Sequence, residues 1–154
     1  MCIRDRTQTD TSIQTGNVMA DAVLNSKLSV AEQKSIQLNV KAHIPKGIEM
    51  TDVEMCSVLG NLLDNAIEAC EKLPCDKRFL RVYIDKFKGQ FYLSVQNSSP
   101  SIQRDKGIFR TTKAGTHGFG LFRIDRIAKK YGGYVNRQYE EGVFATELLL
   151  PLSG

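Results

Sequence analysis

Residues 52–73 read DVEMCSVLGNLLDNAIEACEKL, and the reading of this stretch decides the fold. Met55, Leu59, Leu62, Leu63, Ala66, Ile67, Cys70 and Leu73 recur at three- and four-residue spacing, the apolar stripe of an amphipathic helix. Thr51 or Asp52 supplies a cap at its start, and Pro74 ends it. On a wheel of about 100° per residue, Leu59, Leu63, Ala66 and Cys70 fall on one side, with Glu54, Ser57, Asn61, Asp64, Asn65 and Glu68 opposite. The plain reading of that polar sector is a solvated face. Asparagine in mid-helix is unfavourable, however, because its side chain competes for backbone hydrogen bonds, so two of them beside Asp64 call for a functional reason. An amide oxygen is a neutral hard ligand that can share Mg²⁺ with phosphate oxygens and water.

The periodicity of the flanking chain places this helix in a mixed α/β order. From Asn17 to about Lys34, Val18, Ala22, Val23, Leu24 and Leu28 give a helical pattern. The period then changes to two: Ile36, Leu38, Val40, Ala42 and Ile44 alternate with polar residues up to Pro45-Lys46-Gly47, as in a half-buried strand. After the central helix, Leu80, Val82 and Ile84 alternate, Lys88-Gly89 makes a turn, and Phe91, Leu93 and Val95 alternate again, which predicts a hairpin. Asn97 to Gly120 is polar and glycine-containing, a connection long enough to be a functional lid. Leu121, Ile124, Ile127, Ala128 and Tyr131 then form a third helical stripe, stopped by Gly132-Gly133. Tyr134 to Leu150, turning at Glu141-Gly142 and ended by Pro151, reads as a second hairpin. The expectation is an α/β fold: a two-layer sandwich with helices on one face of a mixed, mostly antiparallel sheet.

The chain has 154 residues, 42% hydrophobic and 25% charged, with a net charge of +4. That is the composition of one globular domain with its own core. Residues 1–15 are polar and aperiodic and read as a disordered tail or a non-native leader, leaving 16–154 as the domain. No apolar run reaches the roughly 18–20 residues of a membrane span, and no basic run marks a nucleic-acid binder. Cys2, Cys56, Cys70 and Cys75 lack metal-ligand spacing and read as free thiols in a reducing, cytoplasmic setting.

A second constellation is Gly115-Thr116-His117-Gly118-Phe119-Gly120-Leu121, where glycines precede the start of a helix. Such a turn presents unpaired N–H groups and the positive end of the helix dipole, which suits phosphate, although glycines also serve ordinary turns. Thr111, Thr112 and Lys113 add hydroxyls and a cation within reach.

Taken together, these strings resemble a family. Residues 61–69, NLLDNAIEA, are similar to the N box of the GHKL ATP-binding superfamily, the group containing gyrase, histidine kinases and MutL. Thr111-Thr112-Lys113 followed by His117-Gly118-Phe119-Gly120-Leu121 is similar to its second glycine box. The resemblance covers about Gly16 to Leu150 and is closest to sensor histidine kinases that answer peptides or small signals in Gram-positive bacteria.

The resemblance implies a Bergerat-type fold and a site for ATP with Mg²⁺. Asn65 would bind the metal ion, with Asn61 one turn earlier facing the same phosphates. Lys113, with Thr112 beside it, would meet the terminal phosphates, His117 would contact phosphate or lid, and the backbone at Gly118 and Gly120, ahead of Leu121, would cradle phosphate oxygens. Asn97 stands where most of the superfamily has the aspartate that accepts from the adenine amino group, and Asn97-Ser98-Ser99-Pro100-Ser101 replaces the usual Asp-x-Gly-x-Gly box. Hydrolysing members carry a glutamate general base four residues before the metal-binding asparagine. Here that residue is Asn61, whose amide cannot take a proton, which favours a kinase over an ATPase.

Implied partners are a dimerisation region bearing the acceptor histidine, in the same longer chain or its homodimer partner, and a response regulator downstream. Neither His43 nor His117 lies on a dimerising helix, so the chain reads as the catalytic part of a two-component sensor transferase, cytoplasmic, reaching a membrane only through upstream segments. Residues 16–34 would join it to the dimerisation region. Two alternatives from the same fold are an anti-sigma-factor-type serine kinase and a degenerate scaffold that holds a partner without catalysis. Arg123, Arg126, Lys129 and Lys130 read as a solvated helix face rather than a docking patch.

Overall fold

A computed structural model describes residues 14–100 and 116–152, with the backbone alone given for 116–122. Helix α1 spans Val18–Gln33, strand β1 Gln37–Ala42 and helix α2 Asp52–Glu71. A short 3₁₀ turn, Cys75–Lys77, leads to the hairpin β2 (Phe79–Phe87) and β3 (Gln90–Ser98). Helix α3 (Thr116–Lys130) and the hairpin β4 (Tyr134–Glu140) and β5 (Val143–Pro151) complete the order.

Local chemistry explains where these elements begin and turn. Asn17 caps α1, its side-chain oxygen accepting from Ala20 N at 2.9 Å. Thr51 caps α2 in a reciprocal box: Thr51 Oγ1 accepts from Glu54 N at 3.1 Å, and Glu54 Oε1 accepts from Thr51 N at 3.0 Å. Both hairpins turn on two residues with positive φ, Lys88-Gly89 (52° and 76°) and Glu141-Gly142 (47° and 84°), as the right-handed strand twist requires.

The strands form one five-stranded sheet in the order β1-β2-β3-β5-β4. β1 pairs parallel with β2, and the remaining pairs are antiparallel. Leu80, Val82 and Ile84 of β2, Phe91, Leu93 and Val95 of β3, and Leu148 and Leu150 of β5 point to one face. That face meets Ala20, Leu24, Leu28 and Ala31 of α1, the apolar stripe of α2, and Ile124, Ile127 and Ala128 of α3. On the other face Tyr83, Phe87 and Tyr134 are exposed. The architecture is the two-layer α/β sandwich expected, with a mixed sheet and one helix layer.

Three expectations need correction. Thr15 belongs to the fold and not to a tail: it is buried, its N–H donates to Asp21 Oδ1 at 2.7 Å, and its carbonyl accepts from Ile44 N at 2.9 Å. Helix α3 begins at Thr116, so His117, Gly118 and Gly120 lie within its first two turns and do not precede it. Cys56 and Cys70 are free thiols, as read, but Cys75 takes part in a disulfide. Residues 1–13, with Cys2, and residues 101–115, most of the expected lid, lie outside the described residues.

Candidate functional site

Helix α2 lies between α1 and α3 and divides its polar sector among its neighbours. Asp64 pairs with Lys27 of α1, Nζ to Oδ1 at 2.8 Å. Glu54 turns the other way, accepting from Lys130 Nζ at 2.7 Å and from the Tyr131 hydroxyl at the end of α3. Partial burial pushes the Glu54 carboxyl up, but Lys130, Tyr131 and the Thr51 N–H outweigh this and bring it down to about 2. Asn61 and Asn65 stay together, half-buried, one turn apart on the same side of α2. Asn61 Nδ2 donates to Ser57 Oγ at a long 3.4 Å.

Asn97 lies on the sheet. It follows Phe91, Leu93 and Val95 on the inner face of β3, is only 3% exposed, and donates from Nδ2 to the carbonyl of Ser98 at 2.9 Å. The strand end around it is anchored. Ser98 Oγ accepts from Phe79 N at 3.0 Å, Ser99 N donates to Gly142 O at 2.8 Å, and the Tyr139 hydroxyl donates to Pro100 O at 3.1 Å. Cys70 Sγ, on α2, sits 3.3 Å from Phe79 O and 3.6 Å from Ser98 Oγ, and burial pushes its thiol up, so it is a packing thiol between helix and strand end.

His117, Gly118, Gly120 and Leu121 lie in the first turns of α3. Gly118 and Gly120 leave the backbone of these turns without a side chain at two positions. Thr112 and Lys113 lie outside the described residues.

These residues fit a magnesium ion shared with phosphate better than a metal held by the protein alone. No cluster of three or more His, Cys, Asp or Glu able to hold a metal exists among the described residues. Mg²⁺ commonly keeps water and phosphate oxygens and takes one or two protein ligands, which the Asn61/Asn65 side of α2 can supply. Sequence reasoning missed Lys130 and Tyr131, whose partner Glu54 is 76 and 77 residues away. Their only sequence signal was the capping-box glutamate itself.

Comparison with known proteins gives a consistent result. A family model described as the GHKL domain matches residues 49–151. The sensor histidine kinase NatK of Bacillus subtilis is 23% identical over 152 residues, covering 94% of this chain and 48% of NatK. This chain therefore spans about half the length of that relative. Among solved structures, the catalytic domain of histidine kinase ThkA superposes with a TM-score of 0.70 at 22% identity, covering 91% of this chain and 94% of that one. Full-length ShkA in complex with AMPPNP superposes at 0.67 and 17% identity, covering 93% of this chain and 32% of ShkA. With the family model covering most of the ordered sheet and two of its three helices, the chain belongs to the GHKL domain family and is homologous to sensor histidine kinases.

Proposed function

We propose that this chain binds ATP with Mg²⁺ and transfers the γ-phosphate to a histidine on a dimerisation region, in the same longer protein or its homodimer partner, within a two-component pathway. The observation that carries the reading is the pairing of Asn61 and Asn65 on one half-buried side of α2, the helix whose Cys70 touches the strand end where Asn97 is buried. The nucleotide analogue held by the structural neighbour ShkA supports a nucleotide in this fold.

In this reading Asn65 holds the metal ion, which neutralises phosphate charge when bound, and Asn61 one turn earlier faces the same phosphates. Asn97 orients the adenine, and the start of α3 with Thr112 and Lys113 receives the phosphates. The protein's work is then positioning and charge neutralisation, which suffices for phosphoryl transfer to an imidazole nucleophile. Water attack is disfavoured because the amide of Asn61 cannot act as a base. Helix α1 would continue into the dimerisation region, a response regulator would take the phosphoryl group onward, and the domain would work on the cytoplasmic side. No helix among the described residues is long and apolar enough to cross a membrane.

The test is a transfer assay with γ-labelled ATP, Mg²⁺ and a longer version of this protein that includes its upstream region. Acid-labile, base-stable label on that region, lost with Asn65→Ala, is expected. Folded protein that binds nucleotide but labels no histidine would overturn the kinase reading in favour of the scaffold alternative.

A further inference from the structure

The carboxylate of Glu54 has more partners than a helix cap requires. The cap uses the Thr51 N–H on Oε1. The Tyr131 hydroxyl also donates to Oε1, and Lys130 Nζ donates to Oε2 at 2.7 Å while lying 5.1 Å from the Tyr131 ring centre. The Glu54 side chain is 19% exposed and that of Lys130 58%, so this contact stands at the margin of the helix layer. Exposed ion pairs add little stability. What this one adds is register, because it ties the first turn of α2 to the end of α3 at the margin of an apolar core that includes Met55, Ile124, Ile127 and Ala128.

Register matters here because, in the proposed nucleotide reading, the two helices carry different parts of one site. Asn61 and Asn65 lie seven and eleven residues from Glu54, about 10 and 16 Å along α2, and Gly118 lies twelve residues from Lys130, about 18 Å along α3. A 5° swing of α3 about its last turn would move Gly118 by about 1.6 Å at that lever arm, and a misplacement of about 1 Å can cost about 10²-fold in a positioned reaction.

We propose that Glu54 is a positioning residue: through Lys130 and Tyr131 it locks the last turn of α3 onto the first turn of α2 and so sets the spacing between the asparagine side of α2 and the glycine-bearing start of α3. This inference rests on the nucleotide-site reading given above. It assigns to a cap residue, outside both sequence boxes, control over how a triphosphate is spanned.

The test uses the whole chain and the double variant Lys130→Met/Tyr131→Phe, which removes both α3 donors and leaves the Thr51–Glu54 cap intact. Calorimetry with AMPPNP and Mg²⁺ is expected to show affinity lowered about 10-fold or more, with adenosine affinity unchanged within about twofold, since adenosine does not reach across the helices. Lys130→Arg, which keeps a cation at Oε2, is expected to retain wild-type affinity, and Lys130→Met alone to lose part of it. Equal AMPPNP affinity in the double variant, or parallel loss of AMPPNP and adenosine, would overturn the inference. Absence of AMPPNP binding by the wild-type chain would instead remove the nucleotide reading, and this inference with it.

Discussion

Removing the guanidinium of Arg78 should loosen the far ends of α1 and α2 together. Arg78 precedes β2 and donates from Nε to Leu73 O at 3.0 Å, from one terminal nitrogen to Lys34 O at 2.7 Å, and from the other to Glu71 O at 3.2 Å. Glu71 ends α2, Lys34 caps the end of α1 and Leu73 follows the cap of α2, so these carbonyls lie at two helix C-termini, where intrahelical donors run out and the dipole favours a cation. A hydrogen bond to a charged group contributes about 1.5–3 kcal/mol, but three on one guanidinium do not add. The Lys34–Glu71 ion pair at 2.5 Å still bridges the same two helix ends after the change. Arg78→Ala is therefore expected to cost about 2–3 kcal/mol, or about 5–10 °C in Tm for a domain of this size. Arg78→Lys should recover less than half, because an ammonium cannot fork to three carbonyls. Urea unfolding followed by circular dichroism measures both. A loss under about 0.5 kcal/mol for alanine, or full recovery with lysine, would refute the argument.

Gly133→Ala should destabilise by about 1–3 kcal/mol, because its Cβ would lie 2.3 Å from Leu149 O and 2.4 Å from Leu150 Cδ2, forcing β4 off β5; an unchanged urea midpoint would contradict this. The Glu54 carboxyl titrates at about 2 in the fold against an ordinary 4.5, so its contribution is complete above pH 4.5 and disappears as pH falls through 2. Discounted for solvent screening, that contribution is about 1 kcal/mol, and Glu54→Gln should flatten the stability-against-pH curve by this amount between pH 5 and 2. Asn61→Glu should leave the fold intact and raise ATP hydrolysis by about 10²-fold; an unchanged rate would remove the base argument.

The parts of the molecule legible in the sequence are those set by local chemistry. The stripe from Met55 to Cys70, the Thr51 cap and the Lys88-Gly89 and Glu141-Gly142 turns each depend on residues within one helix or one hairpin, and each stands where its pattern placed it. Pairing between distant segments was not legible. Nothing in Gln37–Ala42 announces that β1 runs parallel to β2, or that β5 inserts between β3 and β4, since both depend on the whole sheet. The polar sector of α2 shows the same limit. A wheel groups Glu54, Asp64, Asn61 and Asn65 together, but Lys27 claims Asp64 from one side and Lys130 claims Glu54 from the other. Lys130, read as part of a solvated face, is thereby a strut as well. The start of α3 was misplaced because glycines argue for a turn, while the first turn of a helix tolerates them.

The most direct test of the central claim is calorimetric titration of the folded chain with AMPPNP, with and without Mg²⁺, beside Asn65→Ala. The account predicts binding by the wild-type chain that strengthens with Mg²⁺, and loss of that Mg²⁺ dependence in a variant whose unfolding midpoint is unchanged, because Asn65 lies outside the packed stripe of α2. Wild-type binding that ignores Mg²⁺, or an Asn65→Ala variant that keeps the full dependence, would contradict it.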